Sequence, residues 1–217
     1  TSIASSRSSV GKHYVKVTLM GNYSGTKNVY FYIRPGAPKT IKATQSTSWI
    51  KLTWDKVNGA AGYSVYRYDT KTSTYKKLKA TTATSYTDKN LYAGKKYIYK
   101  IVPYGRDADK NVYYSKSNII IKTATKTKTP ILSDYAVYKG KVKLFWTSTS
   151  GETGYQVWYS TKKDSGFKKY ANYSSNTGYV NNLTSGKTYY FKVRTYIKTD
   201  SGYVYSDWSN VKGIKIK

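Results

Sequence analysis

The sequence predicts an all-β chain, two tandem antiparallel β-sandwiches preceded by an N-terminal β-hairpin, and three observations predict it. The first is a repeat at a fixed offset of 92 residues, the step from Trp54 to Trp146. Pro38 recurs as Pro130, Ile50/Leu52/Trp54 as Val142/Leu144/Trp146, Gly62-Tyr63 as Gly154-Tyr155, Val65 as Val157, Leu91/Gly94/Tyr97 as Leu183/Gly186/Tyr189, and Ser117-Asn118 as Ser209-Asn210. Self-similarity of this kind marks two copies of one module. The second is alternation of apolar and polar residues, the two-residue period of a strand with one buried face. The third is punctuation by turn signals: Asn58-Gly59, Ala93-Gly94, Ser165-Gly166, Ser185-Gly186 and Ser201-Gly202.

The elements follow in chain order. Residues 1–35 contain Val10-Gly11-Lys12-His13-Tyr14-Val15-Lys16-Val17, a Gly/Asn turn at Gly21-Asn22, and Val29-Tyr30-Phe31-Tyr32-Ile33, which read as two strands of a hairpin. Two strands bury no core alone, so this hairpin is expected to dock on its neighbour and to be the end of a larger domain. Pro35-Gly36-Ala37-Pro38 marks a boundary, giving a first sandwich at 36–124. Thr123 to Thr129, alternating Thr with Ala or Lys ahead of Pro130, marks the next and gives a second sandwich at 125–217. Ile50-Lys51-Leu52-Thr53-Trp54, Tyr97-Ile98-Tyr99-Lys100-Ile101 and Val142-Lys143-Leu144-Phe145-Trp146 alternate cleanly. About seven short strands per module at this spacing read as an antiparallel sandwich.

Trp54, Gly62-Tyr63-Ser64-Val65-Tyr66, the Leu91-x-x-Gly94-x-x-Tyr97 corner and Tyr114-Ser115-Lys116-Ser117-Asn118 together resemble a fibronectin type III domain. Trp146, Gly154-Tyr155-Gln156-Val157, Leu183-x-x-Gly186-x-x-Tyr189 and Tyr205-Ser206-Asp207-Trp208-Ser209 resemble it equally. The resemblance covers residues 36–217 and implies buried Trp54 and Trp146 and corner roles for Tyr97 and Tyr189. The Lys/Tyr-rich wording resembles modules of secreted and surface proteins of Gram-positive gut bacteria. Residues 1–35 resemble the last two strands of a bacterial immunoglobulin-like repeat.

Composition narrows the function. Lys and Arg number 38 against 10 Asp and Glu, a net charge of +28 spread evenly along the chain. An evenly basic surface attracts polyanions without specifying one, whether nucleic acid, a cell-wall polyanion such as teichoic acid, or acidic polysaccharide; the lysines also solubilise a Tyr-rich surface and protect sheet edges. Cysteine is absent, which excludes disulfides and thiolate chemistry. No apolar stretch is long enough for a transmembrane helix. The Ser-rich opening at Thr1 is not a signal peptide, so a mature or excised piece of a longer chain is expected.

Catalytic constellations are not found. His13 is the only histidine, which removes Ser-His-Asp and multi-histidine metal sites. Glu152, the sole glutamate, lies in the Gly151-Glu152-Thr153-Gly154 loop and is expected to be solvated. Asp107-Ala108-Asp109-Lys110-Asn111 mimics the start of a calcium loop, but Val112 stands where glycine is needed and Lys110 repels a cation, so a polar hairpin is expected. No cofactor or metal site and no nucleic-acid motif of defined spacing is predicted.

One surface stands out. Tyr190, Lys192, Arg194 and Tyr196 alternate with Tyr189, Phe191 and Val193 and so form the outer face of a strand. Trp158 shares that parity, and Trp208 is placed on the last strand beside them. A structural cation and aromatic ladder is one expectation, and this pattern is similar to that of cytokine-receptor fibronectin domains. A face for glycans or polyanions is the other, since planar aromatics beside hydrogen-bond donors suit sugar rings. Trp49, of opposite parity to Ile50, is expected to be an exposed aromatic on the first module. The functional expectation is a non-catalytic extracellular spacer or binding segment of a bacterial surface or secreted multidomain protein, partnered by other domains of its parent chain. Accessory modules of a polysaccharide-degrading enzyme and a host-protein adhesin are the alternatives.

Overall fold

A computed structural model describes residues 9–217; the Ser-rich stretch 1–8, counted above with the hairpin segment, lies outside the described residues. Strands β1 (Gly11–Thr18) and β2 (Thr26–Ile33) pair antiparallel in continuous register from Gly11↔Ile33 to Thr18↔Thr26. Next come β3 (Ile41–Gln45), β4 (Ile50–Trp54), β5 (Gly62–Asp69), β6 (Thr74–Thr81), β7 (Ser85–Asp88), β8 (Lys96–Arg106), β9 (Val112–Tyr114) and β10 (Ile119–Ala124). They form a three-stranded sheet in the order β3-β4-β7 and a second sheet in the order β10-β8-β5-β6, with β9 also on β8.

The second series repeats the first: β11 (Leu132–Tyr138), β12 (Lys141–Trp146), β13 (Gly154–Ser160), β14 (Lys168–Tyr173), β15 (Thr177–Val180), β16 (Thr188–Thr199), β17 (Gly202–Tyr205) and β18 (Lys212–Lys215). Its sheets run β11-β12-β15 and β14-β13-β16-β17, with β18 on β16. A three-stranded sheet facing a sheet whose last strand returns beside the long central one is the fibronectin type III arrangement. The chain is therefore all-β, two tandem fibronectin type III-like sandwiches behind a hairpin. The repeat extends to irregularities, because the register slips between Val65 and Tyr66 in the first copy and between Val157 and Trp158 in the second.

The same side chains build both cores. Ile50, Leu52, Trp54, Tyr63, Val65, Tyr99 and Ile101 are buried in the first copy. Leu132, Val142, Leu144, Trp146, Tyr155, Val157, Phe191, Val193 and Ile214 pack as one cluster in the second. Burying each such side chain stabilises by about 1.5–3 kcal/mol. Trp54 meets Tyr63 edge-on with centroids 5.5 Å apart, and Trp146 meets Tyr155 at the same 5.5 Å. The Tyr63 hydroxyl accepts the Val57 N–H at 2.9 Å, and the Tyr155 hydroxyl the Thr149 N–H at 3.2 Å. Tyr97 accepts the Tyr92 N–H at 3.1 Å and Tyr189 the Thr184 N–H at 3.2 Å, so both corner tyrosines hold a backbone donor five residues upstream.

The described residues divide into two compact units, 9–43, 52–86 and 98–121 in one, and 44–51, 87–97 and 122–217 in the other. Within the first, the hairpin is tied down at its open end. The Val10 side chain lies against Gly59 and Gly105, where an added Cβ would stand 3.2 and 2.6 Å from it. Tyr32 contacts Tyr113 at 6.1 Å, and the Arg34 guanidinium donates to the Tyr114 carbonyl at 2.8 Å. Farther along, Tyr14, Val15, Val17, Val29 and Tyr30 are exposed, so both faces of the hairpin remain wet there.

Within the second unit, segment 123–129 is not the free linker its composition suggests. Thr123, Ala124, Thr125 and Thr127 are buried. The Thr125 N–H donates to the Lys95 carbonyl at 3.0 Å, the Lys126 N–H to the Ser46 carbonyl at 2.9 Å, and the Gly94 N–H to the Lys126 carbonyl at 3.0 Å. The Thr125 hydroxyl donates to the Tyr92 carbonyl at 2.5 Å, and Gln45 donates to the Thr123 hydroxyl at 2.9 Å. Downstream, the Thr127 and Thr195 hydroxyls bond each other, and Ala124 packs with Ile197 and Val204. Alternating threonines here continue the two-residue period of β10 and bury one side of it.

Candidate functional site

The expected outer face forms around β13 and β16, which pair Trp158 with Lys192 and Gln156 with Arg194. Alternation sends Tyr189, Phe191 and Val193 into the core and leaves the even-numbered side chains half-buried on the other side. Arg194 is the hub. Its Nε and Nη2 donate to Gln156 Oε1 at 3.1 and 3.0 Å, and its guanidinium lies 3.7 Å from the centroid of Tyr205, 4.4 Å from that of Trp208 and 5.7 Å from that of Trp158. Trp158 and Trp208 meet edge-to-face at 5.3 Å. Lys192 Nζ stands 4.5 Å from the Trp208 ring centroid and 4.1 Å from that of Phe167. Burial, followed by the neighbouring Arg194 cation, lowers the Lys192 pKa, and burial lowers that of Arg194.

Trp158, Lys192, Arg194 and Trp208 are thus brought together, while Tyr190 and Tyr196 sit at the two ends. Tyr190 covers Gly213, where a Cβ would stand 2.8 Å from its ring. Tyr196 covers Gly154 and meets Tyr203 at 5.8 Å. Trp208 is not on a strand as expected, but in the connection 206–211 between β17 and β18. The reason is local: Ser206 and Ser209 hydroxyls accept the Thr195 and Val193 N–H groups at 3.0 and 2.9 Å, replacing the strand carbonyls that would otherwise pair there. Gln156, Phe167 and Tyr205 complete the cluster and were missed. Gln156 shares the parity of Trp158 and was legible; Phe167 comes from a loop and was not.

Cations stand over the Trp208 and Tyr205 rings, so these faces are engaged within the protein. Such contacts contribute about 0.5–1 kcal/mol each at exposed sites and more when desolvated. The first copy has no equivalent hub, because Val102 occupies the position of Arg194 and Lys116 that of Trp208. There Lys100 lies over Tyr66 and Tyr75 at 5.1 and 4.2 Å.

The other singled-out residues have defined local roles. His13 Nε2 lies 2.8 Å from the Ser9 carbonyl and its ring 5.6 Å from that of Phe31. Asp107 accepts from the Asn111 N–H, the Asn111 side chain and the Tyr113 hydroxyl at 2.9, 3.1 and 2.8 Å. Burial raises its pKa, but these donors outweigh that and lower it overall. Glu152 is not simply solvated. It accepts from the Thr149 hydroxyl at 2.9 Å and the Tyr155 hydroxyl at 2.8 Å, and burial together with this carboxylate raises the Tyr155 pKa. A loop glutamate reading missed this because the partner is a core tyrosine three residues on. Trp49 is half-buried in the turn before β4, where the Ser46 N–H donates to its carbonyl at 2.9 Å, and so is not a strand residue. Among the described residues, no group of three or more His, Cys, Asp or Glu is placed to hold a metal ion.

No family model matches the chain. Over 68 residues it is 34% identical to an amylopullulanase of Thermoanaerobacterium saccharolyticum and to one of Thermoanaerobacterium thermosulfurigenes, a match covering 31% of this chain and 5% and 4% of those enzymes. Among solved structures, the chicken CNTN1 FN1-FN3 domains align over 95% of this chain and 78% of that one, at 17% identity and a TM-score of 0.47. A two-domain fibronectin type III segment of chicken tenascin aligns over 84% and 99%, at 16% identity and a TM-score of 0.45.

Proposed function

We propose that this chain is a non-catalytic spacer segment of a bacterial secreted or surface multidomain protein, with sandwiches at 36–124 and 125–217. The observation that carries this reading is the segment 123–127, where Thr123, Ala124, Thr125 and Thr127 are buried and the Thr127 and Thr195 hydroxyls bond each other, whereas a flexible linker would be solvated. A spacer built this way spends its chemistry on stiffness: backbone donors, threonine hydroxyls and the Lys126–Asp207 and Lys122–Asp200 ion pairs at 2.7 Å all converge near one short segment. The dispersed lysines add weak, salt-sensitive attraction to anionic polymers of a cell wall or matrix. Pulsed electron resonance between spin labels on the two sandwiches tests it. A narrow distance distribution that broadens when 123–129 is replaced by Gly and Ser supports the spacer; a distribution already broad in the native chain contradicts it.

A second reading, accessory modules of a polysaccharide-degrading enzyme, is favoured by the amylopullulanase matches. It makes the parent chain a hydrolase and leaves the spacing role intact. A hydrolase domain in the same reading frame, whose activity on insoluble polysaccharide falls when this segment is deleted, would support it.

A further inference from the structure

The second sandwich carries a cleft that the cation and aromatic face does not include. It lies where the end of β13 and the loop leading to β14 meet the corner before β16, and it has a volume of about 490 Å³. That is within the range of about 300–1,000 Å³ usual for small-molecule sites. Tyr159 and Tyr189 line it with rings 6.2 Å apart, and Lys162, Lys168, Ser165 and Asn182 supply its polar groups.

Its walls are held in place. The Ser160 hydroxyl donates to the Ser165 carbonyl at 2.6 Å and accepts the Lys162 N–H at 3.0 Å, pinning both ends of the loop. Gly166 has φ 67°, and a Cβ there would stand 3.3 Å from the Ser160 hydroxyl, so the loop closes tightly only with glycine. Asn182 holds a left-handed φ of 58°, and the Leu183 N–H donates to the Gly140 carbonyl at 2.9 Å. Tyr189 is anchored by its corner bond to Thr184. Lys168 Nζ lies 5.1 Å from the Tyr159 centroid, at the rim of the same space.

The lining holds two lysines, hydroxyl and amide groups and aromatic surface, with no carboxylate. Aromatic surface suits the apolar face of a sugar ring, the hydroxyls and amide suit its hydroxyls, and a pair of ammonium groups suits an acidic substituent. We propose that this cleft binds an acidic saccharide, one or two hexuronate units of an anionic polysaccharide. The first copy does not repeat this lining, since Arg67 replaces Tyr159, Asp69 replaces Thr161 and Thr70 replaces Lys162. This inference is independent of the spacer role, and its failure leaves that role untouched.

Amide chemical-shift titration with trigalacturonate, and with maltotriose as the neutral counterpart, tests it. Trigalacturonate should give saturable shifts confined to residues 159–168 and 182–189, weakening as salt is raised. Lys168→Ala and Lys162→Ala, both exposed and so harmless to folding, should each weaken binding about fivefold, a surface-charge effect. Unchanged melting temperatures would confirm that the loss is one of binding. The proposal is overturned if trigalacturonate gives no saturable shift there, if maltotriose binds equally well, or if both lysine variants bind as the native chain does.

Discussion

The guanidinium of Arg194 rests 3.7 Å from the centroid of the Tyr205 ring while donating twice to the Gln156 side-chain carbonyl. A planar, five-donor group satisfies both demands at once, and a lysine ammonium does not. Arg194→Lys should therefore destabilise the second sandwich by about 1–2 kcal/mol. Trp208→Ala, which removes the ring under both cations, should cost about 1–3 kcal/mol. Urea unfolding reads both, and two variants as stable as the native chain would mean that the cluster contributes no stability.

The corner tyrosines make a paired test. Tyr97→Phe and Tyr189→Phe each leave one backbone N–H without its acceptor, at Tyr92 and Thr184. Tyr97→Phe, at an exposed bond, should cost about 0.5–1.5 kcal/mol, and Tyr189→Phe, at a partly buried one, about 1–3 kcal/mol. A change within error would show that water replaces the hydroxyl at these positions.

Two glycines at equivalent corners should behave differently. Gly94 and Gly186 have φ of 71° and 79°, and alanine at either is strained by about 1–2 kcal/mol. At Gly94, however, an added Cβ would collide with the Ser150 carbonyl oxygen, whereas Gly186 has nothing within 4 Å. Gly94→Ala should be the more damaging by about 1–3 kcal/mol, read from denaturation midpoints at constant slope. Equal losses would show that loop 150–151 yields freely.

Tyr173 predicts an alkaline limit. Burial raises its pKa to about 12 from the model-peptide value of 10.0, and its hydroxyl donates to the Tyr179 carbonyl. The folded chain then holds this proton more tightly than the unfolded chain, so stability is complete below pH 10 and is lost as pH rises from 10 towards 12. Melting temperatures of the native chain and Tyr173→Phe across that interval check it. The native chain should lose more stability than the variant, and parallel curves would contradict the assignment.

Much of the fold was legible because the signals were local or repeated. Trp54 and Trp146 declared their burial by alternation, and Leu-x-x-Gly-x-x-Tyr placed both corners. The hairpin was legible from its turn, and its docking from the inability of two strands to stand alone. What escaped depended on partners distant in sequence. Trp208 left the strand because two serine hydroxyls took over backbone pairing, and Phe167 reached the cluster from a loop. Segment 123–129 looked like a linker from its composition, although its period of two was that of a strand. The cleft was invisible, since residues 159–168 and 182–189 converge only after folding.

Amide hydrogen exchange at Thr125 and Lys126 tests the packed joint most directly. Their N–H groups donate to the Lys95 and Ser46 carbonyls at 3.0 and 2.9 Å, and Thr125 is fully buried. A stiff spacer requires them to exchange as slowly as central amides of β8 such as Ile101, opening only with the unfolding of the first sandwich, which supplies both acceptors. Exchange at the rate of an unstructured peptide, while Ile101 stays protected, would show a flexible tether and contradict the spacer reading.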